Sequence, residues 1–300
     1  MEYRTLGKTG ERVSAIGLGG AHAARTDTVE ESVRIIRTAV DNGITFLDNC
    51  WDYSNGEAEV RMGHALRDGY RQRIFLMTKI DAHLARVATQ QIEQCLSRLQ
   101  TDVIDLLQIH EVIRPDDPER VFAPGGTLEA LLAAQQAGKI RYIGFTGHKD
   151  PAIHLTMLGM GFDWDTVQMP LNCLDHSHKS FEAKVLPVLV ERGIGVLGMK
   201  PLASGAIVRE GVATAEECLR YALSLPTSVV ITGCDSVPTV EQALRVWQSF
   251  RPMSPDEMAA LRARVAPQNQ EGVLEGYKTT IRFDGTVRNP HWLTTASVTA

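Results

Sequence analysis

The chain repeats one pattern eight times: a short, β-rich apolar run followed by a longer segment with helical spacing. The apolar runs are residues 13–18, 44–47, 74–78, 103–109, 142–145, 166–169, 195–199 and 229–232. Nearly continuous apolar runs are typical of parallel strands that are covered on both faces. Eight strand–helix units within ordinary length limits predict an α/β (β/α)8 TIM barrel, and a doubly wound parallel sheet is the alternative.

Apolar side chains between the strands recur at helical spacing. In segment 29–40 the stripe contains Val29, Val33, Ile36 and Val40, and in segment 92–99 it contains Ile92, Cys95, Leu96 and Leu99. Each stripe gives its helix one face that can pack on a sheet. Thr214 and Glu217 have the spacing of a capping box at a helix start.

Three segments lie outside the eight units. Residues 3–14, with a turn at Gly10, predict a short hairpin that closes the barrel floor. Ser254 to Glu257 predict the start of an appended helix. After Ala266 the periodicity ends, but the tail keeps Tyr277, Phe283 and Trp292. It is too aromatic for a typical disordered end, so we expect residues 266–300 to pack over the barrel in a single domain, 1–300.

Composition excludes several classes of protein. The 300 residues carry 31 Lys and Arg against 36 Asp and Glu, a net charge of −5, so we expect no nucleic-acid partner. No window approaches the roughly 20 apolar residues of a membrane span. Five scattered cysteines without a CxxC pair indicate reduced thiols, and we interpret the chain as cytoplasmic. Residues 175–178 (Asp175, His176, Ser177, His178) are interpreted as a solvated loop, and no metal site is predicted.

Polar side chains follow three neighbouring strands of the predicted barrel. Asp48 ends the second strand and Tyr53 lies in the loop after it, Lys79 follows the third, and His110 follows the fourth. Alone, each has an ordinary structural explanation such as a turn former or a satisfied core histidine. Together they would share the active-site face, where a lysine that ends a buried strand needs a nearby anion.

These residues resemble the aldo-keto reductase superfamily. The loop from Asp48 to Tyr53 is similar to that family's D-x-x-x-x-Y loop, and Lys79 and His110 stand where its other catalytic residues stand. The likeness extends over residues 3 to about 250, through Gly56, Glu59, 63–66, 144–146, 167–170, Asn172, Pro201, Leu202 and 231–233.

The resemblance implies an NAD(P)H-dependent oxidoreductase that transfers hydride from a nicotinamide cofactor to an aldehyde or ketone. Tyr53 would be the proton donor, although a free tyrosine has a pKa of about 10. We expect Lys79 to lower that pKa and Asp48 to hold the ammonium in place. His110 would orient the substrate carbonyl and stabilise its developing negative charge.

The resemblance also implies cofactor contacts. They are Gly19, Gly20 and Ala21 after the first strand, Asp48, Thr146, Gln168, then Met199, Lys200, Pro201 and Leu202 after the seventh, and Gly233, Asp235 and Thr239 after the eighth. No helix is expected directly behind Gly20, so the run 17–20 is not interpreted as a Rossmann fingerprint. Thr146 and Gly147 replace the Ser-Asn pair that is frequent in the family, and Met199 replaces a stacking aromatic.

The choice between NADP(H) and NAD(H) stays open at this point. The family favours NADP(H), but the stretch after the eighth strand carries Asp235 and no cation. Asp235 would repel a 2′-phosphate and could accept from a ribose hydroxyl. Lys278, Arg282 or Arg288 in the tail are candidates for the missing cation.

Two other classes of function remain as alternatives. Some relatives resemble channel-associated subunits, so the barrel could be a nucleotide-sensing regulatory protein with little turnover. A metal-dependent hydrolase is a third possibility. For the reductase we expect a small-molecule carbonyl substrate, no membrane partner, and a monomer or small homo-oligomer. Trp51, Tyr277, Phe283 and Trp292 would either cover an apolar substrate pocket or anchor the tail.

Overall fold

Eight parallel strands close into a barrel in the computed structural model, which describes residues 2–295. The circular order follows the chain and joins the last strand to the first. The strands are β3 (Ile16–Gly19), β4 (Phe46–Asp48), β5 (Phe75–Ile80), β6 (Ile104–Ile109), β7 (Ile140–Thr146), β8 (Thr166–Pro170), β9 (Gly195–Met199) and β10 (Val229–Gly233). The predicted (β/α)8 barrel is confirmed, and the doubly wound alternative is wrong.

The first predicted strand, 13–18, is two strands in the structure. β1 (Tyr3–Thr5) pairs antiparallel with β2 (Arg12–Ser14), and the barrel strand β3 begins only at Ile16. The Ser14 hydroxyl donates to the Ile16 carbonyl at 2.6 Å, and its oxygen accepts from the Thr45 amide at 2.9 Å. These bonds lie where the chain passes from the hairpin into the barrel. The sequence gives no sign of this boundary, because the apolar run continues across it.

The predicted hairpin over residues 3–14 is confirmed, and it closes one end of the barrel. Gly10 has φ +78°, a left-handed conformation that favours glycine at this turn. Leu6 and Val13 are buried and extend a cluster of inward-facing side chains that includes Phe46, Leu106 and Val229. The hairpin therefore covers the amino end of the barrel, and the carboxyl end is left for the site.

Helices surround the barrel between the strands. They are α1 (Gly20–Ala23), α2 (Val29–Asp41), α3 (Glu57–Ala65), α4 (Ala85–Leu99), α5 (Asp117–Phe122), α6 (Thr127–Gln136), α7 (Pro151–Gly159), α8 (Phe181–Lys184), α9 (Leu186–Glu191), α10 (Ala206–Arg209), α11 (Ala215–Ser224), α12 (Val237–Gln248), α13 (Pro255–Val265), α14 (Gly276–Thr279) and α15 (Gly285–Arg288). The one-turn helix α1 opens directly at Gly20, so the expectation of no helix there was wrong.

Sequence signals located the longer helices well. The appended helix is α13, and the capping boxes of Ser254 with Glu257 and of Thr214 with Glu217 are both formed. The whole predicted stripe of α4 is buried. In α2, Val29 and Val33 are partly exposed, because its buried face also includes Ile35 and Ala39.

The first part of the tail is held by a buried polar cluster. Tyr277 is fully buried; its hydroxyl donates to Glu275 at 2.7 Å and accepts from the Asn172 amide at 2.8 Å. The Lys278 ammonium lies 2.7 Å from Asp175, which is also fully buried. The solvated-loop interpretation of residues 175–178 is therefore wrong for Asp175, whose partner comes from the distant tail, whereas His176 and Ser177 are exposed.

The second part of the tail crosses the carboxyl end of the barrel. Glu111, just after β6, accepts hydrogen bonds from the Gly285 and Thr286 amides at 2.7 and 2.8 Å. The Trp292 ring packs edge to face on Trp51, with centroids 5.8 Å apart. Of the two roles considered for these aromatics, Trp51, Tyr277 and Trp292 anchor the tail.

All five cysteines are buried and free of disulfide bonds. Over residues 2–295, none of the helices combines the length and the apolar character that crossing a membrane requires.

One close helix contact gives a stability prediction. A Cβ added at Gly63 in α3 would lie 2.3 Å from the Arg98 carbonyl of α4, whereas one added at Gly159 in α7 meets nothing within 4 Å. We expect Gly63→Ala to lower the free energy of unfolding by about 1–3 kcal/mol, because backbone on both sides must move. Gly159→Ala is the control and should be neutral or stabilising. Urea unfolding that ranks the two variants equally would contradict this packing.

Candidate active site

Four polar side chains expected from the sequence meet at the carboxyl end of the barrel. The Lys79 ammonium donates to the Asp48 carboxylate, to the Asn49 carbonyl at 2.7 Å and to the Tyr53 hydroxyl at 3.4 Å. Lys79 is 1% exposed and Asp48 is 5% exposed. Because a buried ammonium requires a compensating anion, this pair fixes the position of the amine.

The backbone after β4 carries Tyr53 to this point. The Asn49 and Trp51 amides donate to the Met77 and Lys79 carbonyls, both at 2.9 Å, so the loop continues the pairing with β5. Tyr53 then opens a tight turn in which Ser54 and Asn55 have φ of +53° and +57°. Two successive non-glycine residues in the left-handed region are unusual and are typical of functional sites.

Burial dominates the acidity of Tyr53. Its pKa is raised well above 10, first by burial and then by the neighbouring Asp48 carboxylate, Cys50 and Asp52. We expect the Lys79 ammonium to lower this pKa, but loss of hydration and the acidic neighbours outweigh it, so the net shift is upward. Tyr53 is therefore a phenol at neutral pH and can donate a proton.

His110 follows β6 and faces Tyr53 edge to face, with ring centroids 5.9 Å apart. Its Nδ1 lies 2.8 Å from Asp81 Oδ1. Burial lowers the pKa of His110, but Asp81, Asp52 and Glu111 outweigh burial and raise it to about 9. The ring is thus an imidazolium that can donate a hydrogen bond from Nε2 while Asp81 holds Nδ1.

Sequence analysis missed the groups around His110. Asp81 and Asp52 were not singled out for chemistry, and neither were Glu111 and Cys50, whose Sγ lies 3.2 Å from His110 Nδ1. One signal could have found Asp81: it stands two residues after Lys79, and residues two apart on a strand point to the same face.

The residues expected to contact a cofactor lie along the same end of the barrel. Gly19, Thr146, Met199 and Gly233 end strands β3, β7, β9 and β10, and Gln168 lies in β8. The others follow directly: Gly20 and Ala21 in α1, Asp48 at the end of β4, Lys200, Pro201 and Leu202 after β9, and Asp235 and Thr239 after β10. Lys200 is also left-handed, with φ +55°.

Gln168 tests whether a nicotinamide fits here. Its side-chain nitrogen donates to Asp48 at 3.0 Å, which turns Oε1 away from that carboxylate. Oε1 is buried and has no hydrogen-bond partner among residues 2–295. A buried acceptor without a donor is costly, and a carboxamide N–H would satisfy it. The side chains present therefore fit a nicotinamide group.

Two of the three candidate cations in the tail, Lys278 and Arg288, lie away from the stretch after β10. Lys278 is fully buried against Asp175, and Arg288 ends α15, which binds beside β6, opposite β10 in the barrel. A different pair of cations is close: Arg25 and Arg34 line a cavity of about 240 Å³ together with Asp235.

Comparisons with known proteins agree with this geometry. The Aldo/keto reductase family profile matches residues 15–214. Aldo-keto reductase YhdN of Bacillus subtilis is 31% identical over 69% of this chain and 64% of its own length, so the match spans less than two thirds of that relative. A probable voltage-gated potassium channel subunit beta of Arabidopsis thaliana is 31% identical over 69% of this chain and 66% of its own.

Among solved structures, an aldo-keto reductase from Klebsiella pneumoniae in complex with NADPH superposes with a TM-score of 0.72. It is 25% identical and covers 90% of this chain and 98% of its own. Profile, sequence relatives, barrel and residue placement agree, and the chain belongs to the aldo/keto reductase family.

Proposed function

We propose that the protein is an NAD(P)H-dependent reductase of aldehydes or ketones, with Tyr53 as proton donor and Asp48, Lys79 and His110 as the other catalytic residues. The observation that supports this most strongly is the contact of a buried Lys79–Asp48 ion pair with the Tyr53 hydroxyl. His110 faces the same hydroxyl-bearing ring. Tyr53 and His110 are both partly exposed, so a substrate can reach them.

Tyr53 donates its phenolic proton to the carbonyl oxygen as the carbon is reduced. A phenolate is poorly stable in a buried site, so the neighbouring Lys79 ammonium stabilises the charge left on Tyr53 after the transfer. Asp48 keeps that ammonium in place, because its carboxylate also accepts from Gln168 and cannot rotate freely. The pair therefore lowers the energy of the charged transition state.

His110 binds the same carbonyl oxygen through Nε2–H and orients it toward Tyr53. Asp81 is the positioning residue, since its hydrogen bond to Nδ1 fixes the plane of the ring. A cationic donor at this point polarises the carbonyl and stabilises negative charge that develops on oxygen.

A bound nicotinamide dinucleotide supplies the hydride. Gln168 Oε1 would accept a hydrogen bond from the carboxamide of the nicotinamide. Thr146 lies on β7, next to the β8 strand of Gln168, and its Oγ1 is 4.0 Å from Met199 Sδ. Gly19 at the end of β3 and Gly20 at the start of α1 are further candidate contacts to the cofactor. NADP(H) is favoured because the related Klebsiella structure contains NADPH, and NAD(H) remains the second choice.

The cavity beside Asp235 supports the preference for NADP(H). Arg25 and Arg34 can attract the 2′-phosphate there, whereas Asp235 opposes it. This arrangement predicts that the protein prefers NADP(H) to NAD(H) and that the Asp235 carboxylate weakens the preference.

A regulatory, nucleotide-sensing barrel with little turnover is the second candidate. It is supported by the likeness to the probable voltage-gated potassium channel subunit beta of Arabidopsis thaliana. A single domain over residues 1–300, a monomer or small homo-oligomer and a cytoplasmic location stay predictions.

The assignment of the acid is tested by Tyr53→Phe. We expect kcat for aldehyde reduction to fall by about 10²–10⁴-fold, because the phenyl ring keeps the packing and loses the proton. Cofactor binding, measured by the quenching of protein fluorescence, should be retained in this variant. Turnover is measured as loss of NADPH absorbance.

The control for this variant is Tyr70→Phe, which removes a hydroxyl bonded to Asp41 on the surface. It should leave kcat unchanged. Equal turnover in Tyr53→Phe and wild type would remove Tyr53 from the mechanism. Cofactor binding without turnover of any aldehyde or ketone in the wild type would favour the regulatory barrel.

The role of Asp235 is tested by its replacement with arginine. We expect Asp235→Arg to raise the ratio of NADPH to NADH affinity by about tenfold, since a charged hydrogen bond to phosphate contributes about 1.5–3 kcal/mol. Asp235→Asn removes the repulsion without adding a cation and should give a smaller shift. Affinity ratios that stay at the wild-type value in both variants would show that the 2′ position lies elsewhere.

A further inference from the structure

Four potential metal ligands converge beneath the candidate active site. One ligand atom each from Cys50, Asp52, Asp81 and His110 lies within 4.8 Å of the other three. His110 was anticipated from the sequence as a catalytic residue, whereas Cys50, Asp52 and Asp81 were not singled out; the four come from the segments after β4, β5 and β6. Thiolate, imidazole and carboxylate together are ligands typical of zinc.

The spacing is close to what a tetrahedral ion needs. Zinc bonds of about 2.0–2.3 Å place neighbouring ligand atoms roughly 3.3–3.7 Å apart. His110 Nδ1 lies 3.2 Å from Cys50 Sγ and 3.7 Å from Asp52 Oδ1. The 2.8 Å hydrogen bond from His110 to Asp81 would lengthen by under 1 Å to admit the ion.

The two aspartates supply an independent observation that points to a cation. Asp81 is 1% exposed, and its Oδ2 has no hydrogen-bond partner within residues 2–295. Asp52 Oδ1, which faces His110, is buried and equally unpartnered in that part of the chain. Buried carboxylate oxygens without donors are destabilising. The His110 ring is hydrogen-bonded to Asp81 through Oδ1 only, and the nearby Lys79 ammonium is already bonded to Asp48, Asn49 and Tyr53.

We propose that Cys50, Asp52, Asp81 and His110 form a binding site for a borderline divalent cation of the zinc type. Binding replaces the Nδ1 proton of His110 and the thiol proton of Cys50 with the ion, and both protons pass to the solvent buffer. No electrons are transferred. The Nε2 atom of His110 stays free of the ion, and the metal takes over from Asp81 in holding the ring.

The site shares His110 and Asp81 with the chemistry proposed above, but it uses the Nδ1 side of the ring and leaves Nε2 for the substrate. A metal ion here is not required for hydride transfer, because Asp81 alone orients His110 in its absence. Its ligands are reachable, since the side chains of His110 and Asp52 are 11% and 12% exposed.

Cobalt(II) is the probe, because it reports thiolate ligation directly. Titration of the full chain with Co²⁺ should give a saturable thiolate-to-metal charge-transfer band with one equivalent, and Zn²⁺ should abolish it. In weak buffer with a pH indicator, Zn²⁺ should release about two protons per protein. Cys50→Ser should remove the band. Cys234→Ser, which changes another buried cysteine after β10, is the matched control and should keep it.

Asp52→Asn provides a second test if Cys50→Ser fails to fold, as judged by circular dichroism. We expect it to weaken Zn²⁺ affinity by about tenfold or more in competition with a chromophoric chelator, since one charged ligand is lost. A wild-type protein without a saturable band, a band that survives in Cys50→Ser, or unchanged affinity in Asp52→Asn would overturn the site. These readouts need no substrate, so the metal site and the reductase can fail independently.

Discussion

A buried ammonium held by a buried carboxylate determines the rest of the site. Lys79 is the penultimate residue of β5 and Asp48 ends β4, so adjacent strands bring the two charges together where water is largely excluded. Removing one partner of such a pair typically costs about 3–5 kcal/mol, because the other charge is left uncompensated. The Tyr53 loop is paired to the same strand, and its hydroxyl therefore meets the amine rather than solvent. The position of the Tyr53 hydroxyl and the charge beside it both follow from this ion pair.

Acidic side chains around the pair do two further tasks. Asp81 holds His110, and Glu111 holds the tail through the amides of Gly285 and Thr286. Because Glu111 directly follows His110, the histidine and the segment that covers it are tied to the same point of the backbone. The candidate active site is thus linked to the tail, which is anchored elsewhere by Lys278 and Asp175.

The strands and the four principal side chains were predictable from sequence for a physical reason. Buried parallel strands are apolar throughout, so a charged residue at a strand end, such as Lys79 or His110, stands out against its neighbours. The split of segment 13–18 was not predictable, because it depends on hydrogen bonds of Ser14 to Ile16 and to the distant Thr45. One serine in an apolar run does not by itself indicate the end of a strand. The partner of Lys278 is 103 residues away, a separation over which sequence pattern carries no information. The upward shift in the pKa of Tyr53 depends on burial, which only the folded chain defines.

Hydride transfer by this site can be measured directly with an aldehyde and NADPH that carries two deuterium atoms at C4. We expect the wild type to place one deuterium on the carbonyl carbon of the product, detected by mass spectrometry. In Lys79→Met, confirmed as folded and able to bind cofactor, the rate of transfer should fall by about a hundredfold or more, because the charge left on Tyr53 loses its cation. Transfer at the wild-type rate in Lys79→Met would contradict the role of the ammonium. The absence of transfer in the wild type with any aldehyde or ketone would contradict the proposed reaction.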